Sequence, residues 1–260
     1  VGGVSGSELV SVTTDADEEF PELSTGTTFS QSQGGTPGRA VVLHAPSDPR
    51  AKGTDQIRRA VLEVNRLGFD IELHEICGRP HQEVQKALAR IDFVADQIYS
   101  DTPLAGFASE AATFGRAAIV GGYGLEGLRE HMPIEMFPPS YTCHPDGLPQ
   151  ALKELVENPT EVQRLGEAVR SFVVTKWTAT QVTGRFVHLL NNSIPDDWWL
   201  NPAAVVYVEG AGQPKEATKE RIRCLVDNFG VDALCVSHHP QLLTALLEFA
   251  YGSKKQPVSE

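Results

Sequence analysis

Glu110 follows a glycine-containing loop and opens an expected helix within DQIYSDTPLAGFASEAATFGRAAIVGG, residues 96–122. A helix start offers unpaired backbone N–H groups and a partial positive charge, which suit a diphosphate. A carboxylate in the first turn there can hold two ribose hydroxyls beside those phosphates, because it accepts two hydrogen bonds at once. The same carboxylate can equally do no more than complement the helix dipole.

Two other loops belong to the same reading. HAPSDPRAKG, residues 44–53, follows a strand-like run, which is where an open α/β sheet binds ligands. Arg50 and Lys52 put two cations there and Gly53 permits a tight turn, so the loop can clamp a diphosphate or be an exposed basic loop without function. In CGRPH, residues 77–81, Gly78 and Pro80 shape a tight loop, and Arg79 or His81 can sit beside a base or simply be solvated. The third loop brings Gly106, Phe107, Ala108, Ser109 and Glu110 to the same edge if the strands are parallel. A sheet that aligns its strands also aligns their ends.

One pattern competes. Gly122 to Gly127 spell GxGxxG after a strand, and Asp146 lies about twenty residues on, as a dinucleotide fingerprint asks. The helix that follows has room only from about Leu125 to Met132 before Pro133, and the strand comes late in the domain, so the context does not suit nicotinamide binding. His238 and His239 are adjacent, point to different sides and make a poor metal pair. The GxSxG, HExxH and P-loop patterns do not occur.

Composition narrows the classes. With 34 acidic against 22 basic side chains the formal charge is −12, which repels a phosphate polymer and excludes nucleic acid as a main partner, while leaving room for one bound nucleotide. Cys77, Cys143, Cys224 and Cys235 are scattered, so no metal site is expected and the thiols read as reduced. No apolar run has the length of a membrane span and no signal peptide is evident, so cytoplasmic residence is the expectation.

The elements that must position these residues can be read from pattern. Residues 1–38 are rich in Gly, Ser and Thr, with one short apolar segment, LVSV, at 9–12. From Ala40 short β-branched runs alternate with helical patterns, the signature of βαβ units and a Rossmann-like parallel sheet flanked by helices. Strands are predicted at 40–45, 69–76, 92–98 and 117–120, and helices at about 54–67, 82–90 and 107–115. Ile57, Val61, Leu62, Val64 and Leu67 supply the inward face of the first helix. A Pro-rich link at 133–139 leads to helical stretches at 147–157 and 160–190, with Val162, Leu165, Val169, Phe172 and Val173 on one stripe. From Pro195 the texture changes: Trp198 and Trp199, which can be a sugar or base platform or plain packing, precede a β-prone VVYV and helices at about 215–229 and 240–250. Three segments result: a tail or domain remnant at 1–38, a Rossmann-like domain at 39–194, which the resemblance below makes nucleotide-sugar-binding, and an appendage at 195–260.

HAPSDPRAKGTDQI, the CGRPH loop, ADQIYSDTPLAGFASEAATFGRAAIVGGY and KELVENPTEVQRLGEAVRSFVVTKWTATQV together resemble the C-terminal, donor-binding domain of retaining GT-B glycosyltransferases, over roughly residues 40–190. The resemblance implies half of a GT-B fold that moves a sugar from a nucleoside diphosphate donor to a saccharide or other hydroxyl acceptor with retention, with neither a metal nor a cofactor. It assigns the ribose to Glu110 and Ala111, the diphosphate to Lys52 and Gly53, and phosphate-facing amides to Gly106–Ser109. Arg50 and Lys52 would offset charge on the leaving diphosphate. Two positions depart from the family: Ser47 stands where an Arg is usual, and Thr102, beside Asp101, where a second Glu is common. The partner domain of ~150–200 residues that GT-B enzymes close upon is not in this sequence, and residues 1–38 read as its last piece. A non-catalytic nucleotide-sugar binding module is the alternative, with an NAD(P)-dependent oxidoreductase behind it.

Overall fold

A computed structural model describes residues 39–199, 201, 207–209 and 212–252. The segment LVSV, with all of 1–38, and the first half of VVYV lie outside the described residues.

Five parallel strands form the sheet: β1 (Arg39–His44), β2 (Asp70–Glu75), β3 (Phe93–Ala95), β4 (Ala117–Gly121) and β5 (Tyr141–Cys143), in the order β2-β1-β3-β4-β5. Register is set by alternation. Ala40, Val42, Phe93, Ala95, Ala117 and Ile119 turn to one face, while Leu43, Val94, Ala118 and Val120 turn to the other. Both faces are apolar because both are covered. On the first lie α2 (Thr54–Arg66) and α6 (Leu148–Glu157); on the second lie α3 (His81–Leu88), α4 (Gly106–Thr113) and α7 (Pro159–Lys176). Fully buried Phe93, Leu43 and Ile57 each contribute about 1.5–3 kcal/mol of apolar burial. This is the α/β, Rossmann-like parallel sheet that the pattern predicts.

Several boundaries differ from expectation, each for a local reason. In α2, Ile57, Val61 and Val64 face inward with Ala60, but Leu62 is 56% exposed because it falls off that i, i+3/i+4, i+7 stripe, and Leu67 is 65% exposed as the C-cap beyond the last turn. The expected strand 92–98 is regular only through Ala95; Asp96 N–H and Gln97 O still bond Ile119 O and Gly121 N–H of β4, while the side chains of Asp96 and Gln97 turn to Lys52. The stretch 160–190 is two helices: α7 stops at Lys176, Trp177 packs edge-on to Phe172 at 5.4 Å, and the Thr178 hydroxyl caps the next helix, α8 (Ala179–Leu190), by accepting from the Gln181 N–H. β5 has no counterpart in the sequence reading. It follows the prolines of the link and adds a fifth, edge strand beside β4.

Beyond the sheet, α9 (Lys215–Phe229) and α10 (Pro240–Tyr251) pair through a small core of their own around Ile222, Val226 and Ala250. α8 leaves Phe186, Leu189 and Leu190 exposed.

Candidate functional site

In this strand order the chain reverses direction across the sheet between β1 and β3, so their C-terminal ends flank the crevice where such folds bind ligands. The loop after β1 is built without slack. Asp48 caps the four-residue helix α1 (Pro49–Lys52), accepting from the amides of Arg50 and Ala51 at 2.9 and 3.3 Å. Gly53 then ends α1 and starts α2 at φ 78, where a Cβ would meet the Tyr99 ring at 3.0 Å and Ile98 Cβ at 3.1 Å. The side on which a Cβ would stand faces the protein's own core.

Lys52 does reach the crevice, but not as a lone cation. Its Nζ donates to Asp96 Oδ1 and Gln97 Oε1, both at 2.9 Å. The other Asp96 oxygen accepts the N–H of Ala108, at 3.2 Å, in the first turn of α4. Asp96 is 1% exposed and joins the β1 loop to the start of α4. The sequence reading missed it; its signal was an acid at the end of the apolar run FVA. Buried His44 completes the frame, with Nδ1 2.8 Å from Ala95 O and Nε2 2.8 Å from Thr54 Oγ1, and burial pushes its pKa below the ordinary 6.5.

Glu110 lies in the second turn of α4 rather than the first, because the helix begins at Gly106. Dipole complementation therefore explains less of it. Its Oε1 is buried and 2.6 Å from Nε2 of the exposed His81, yet without hydrogen-bond geometry, so it has no hydrogen-bond partner. His81 opens α3 behind Pro80, and Gly78, at φ 65, turns the loop that carries it, so the second and third loops do meet. Arg50, Ser47 and Arg79 are exposed.

The expected phosphate-facing amides divide. Ala108 N–H is spent on Asp96, and the amide and hydroxyl of Ser109 both donate to Ala105 O, at 2.7 and 2.8 Å. The donors of Ala108 and Ser109 are thus engaged within the fold. Gly106 and Phe107 keep amides without a partner among the described residues. Ala108 and Ala111 are fully buried and, with Phe107, pack their side chains on the core, so Ala111 touches a ligand through backbone or not at all.

The GxGxxG segment has an internal use. A Cβ at Gly122 would fall 2.2 Å from Asp101 Oδ1, and that same oxygen accepts the Gly124 N–H at 2.6 Å. The helix it enters, α5 (Leu125–Glu130), is six residues long. Asp101, at φ 51, also takes the Tyr207 hydroxyl hydrogen bond; burial and this carboxylate raise the Tyr207 pKa. Gly212 N–H donates to Tyr99 O at 3.3 Å and Lys215 N–H to the Tyr123 hydroxyl at 3.0 Å. Described parts of the C-terminal segment thus rest on the same edge of the sheet. Beyond Gly122 a cleft of about 210 Å³ includes Tyr123, Thr142, Cys143 and His144, where burial pushes the Cys143 thiol up to about 12 and leaves it protonated. Among the described residues no three His, Cys, Asp or Glu side chains gather as a metal site, and no helix is long and apolar enough to cross a membrane.

Fold and edge define an α/β, Rossmann-like protein with a crevice at its switch point. No protein-family model matches the chain, and no curated protein does. Among solved structures it is similar to TarM of S. aureus in complex with fondaparinux, alpha-GlcNAc-glycerol and UDP (14% identity, TM-score 0.43, 59% of this chain and 36% of that one). It is also similar to HepE of Anabaena with UDP-glucose (13%, 0.41, 59% and 49%) and to the catalytic domain of starch synthase IV from Arabidopsis thaliana bound to ADP and acarbose (19%, 0.40, 60% and 38%). The chain spans less than half the length of each.

Proposed function

We propose that the chain binds a nucleoside diphosphate sugar at the β1/β3 crevice and serves as the donor half of a retaining GT-B glycosyltransferase. The observation that carries this is the buried Oε1 of Glu110, which has no hydrogen-bond partner and only the exposed His81 in ion-pair contact, in α4 behind the loop that leaves β3. Ribose hydroxyls would supply the donors this oxygen lacks, and the amides of Gly106 and Phe107 with Arg50 and Lys52 would meet the diphosphate. The acceptor would come to the open side, where a second domain closes the cleft. Sugar transfer in such a site depends on stabilising the leaving diphosphate rather than on a protein nucleophile.

A non-catalytic nucleotide-sugar module is the second reading, favoured by a specific observation. Lys52 is already neutralised by Asp96, and Asp101, beside the position of the departed Glu, is held by Tyr207 and Gly124. Both readings require nucleotide binding through Glu110. Calorimetric titration with UDP, GDP, ADP and NADH, repeated on Glu110→Ala, tests that requirement: one diphosphate should bind and the variant should lose about tenfold or more. NADH binding indifferent to Glu110→Ala would sink both. Sugar-nucleotide hydrolysis or transfer by the chain joined to its second domain separates enzyme from module.

A further inference from the structure

A second cleft, of about 470 Å³, opens between the Pro-rich link and α7, with Arg129, Ile134, Pro139, Ser140 and Arg164 among its lining. Small-molecule sites run to roughly 300–1,000 Å³. Arg164 is occupied, donating twice to Glu161 at 2.7 and 2.6 Å. Arg129 is not. Among the described residues its guanidinium makes one hydrogen bond, to the Thr142 hydroxyl at 3.3 Å, and no ion pair; it is held 4.1 Å over the Phe137 ring. Stacking fixes the orientation of a group with five N–H donors and leaves most of them unspent. In a chain of charge −12, an oriented cation with no carboxylate is a local reversal of the prevailing field.

Two further observations point the same way. Ser140 is 7% exposed and its hydroxyl has no hydrogen-bond partner, a state costing about 1–3 kcal/mol that native structures seldom leave unexplained. Ile134, in the 3-10 turn Ile134–Met136, is 71% exposed and forms an apolar wall with the adjacent prolines.

We infer that this cleft binds a small organic anion, a carboxylate or phosphate monoester with an apolar body. One anionic oxygen takes the free N–H groups of Arg129. A second accepts from Ser140 once its hydroxyl rotates into another staggered well toward the cleft. The apolar body covers Ile134 and the prolines. The inference is independent of the nucleotide reading, which uses none of these residues.

The test titrates the whole chain with benzoate, phenyl phosphate and the neutral benzyl alcohol, following amide shifts by NMR. At least one anion should bind about tenfold tighter than benzyl alcohol, with shifts at Arg129, Ser140 and Thr142. Arg129→Gln should abolish that preference, Arg129→Lys should retain part of it, and Ser140→Ala should weaken binding several-fold, thermal melts confirming that each variant folds. The tighter anion names the head group. The inference is overturned if neither anion exceeds benzyl alcohol, or if Arg129→Gln binds as wild type does.

Discussion

The ammonium of Lys52 and the carboxylate of Asp96 lie 2.9 Å apart, their side chains 17% and 2% exposed, and the second oxygen of Asp96 takes the Ala108 N–H. Asp96→Ala leaves a part-buried cation with only the neutral Gln97 as partner and a buried amide with none, and is expected to cost about 3 kcal/mol by urea denaturation. Asp96→Asn keeps an acceptor and should cost less. Equal, negligible losses in both would show the pair to be incidental.

Glu110 should behave in the opposite sense. Its buried Oε1 makes no hydrogen bond and meets only the exposed, solvent-screened His81, so Glu110→Gln is expected to leave stability within about 0.5 kcal/mol of wild type while weakening nucleoside diphosphate binding. Matched melts and titrations check this. A loss of stability comparable to Asp96→Ala would assign Glu110 to structure.

Two glycines of the GxGxxG run that look equivalent in sequence are not equivalent in space. A methyl at Gly122 would meet Asp101, so Gly122→Ala should destabilise by about 1–3 kcal/mol. At Gly127, inside α5, a methyl meets open space and Gly127→Ala should stabilise by up to ~1 kcal/mol. A dinucleotide site would instead show both variants losing NADH affinity.

Acid should weaken the fold partly through His44. Its folded pKa is lowered by burial, so as pH falls below the ordinary 6.5 the unfolded chain takes up a proton that the folded chain refuses, and stability drops. One such group gives a slope of at most about 1.4 kcal/mol per pH unit. Urea midpoints followed from neutral pH downward should fall more steeply for wild type than for His44→Gln. Parallel curves would remove His44 from the account.

The sequence made the sheet legible where apolar runs were long and β-branched, as in β1, or continuous and bounded by glycine, as in β4. β5 escaped because three half-buried residues behind two prolines carry no period. That the loops carrying His81 and Glu110 share one edge was legible from parallel strand ends; that the two side chains touch was not. What the Lys52 loop binds internally was not legible either, since Asp96 is distant in sequence and its partner choice depends on where the regular part of β3 ends. Tyr207 and Asp101 are separated by 106 residues, and nothing local announces that they meet.

The loop carrying Arg50 and Lys52 is capped by Asp48, locked at Gly53 and braced by Asp96 before any ligand arrives. Its ordering entropy is thus met during folding rather than on association, so a nucleotide entering the crevice would be recognised by preorganised groups, with little conformational cost at that loop.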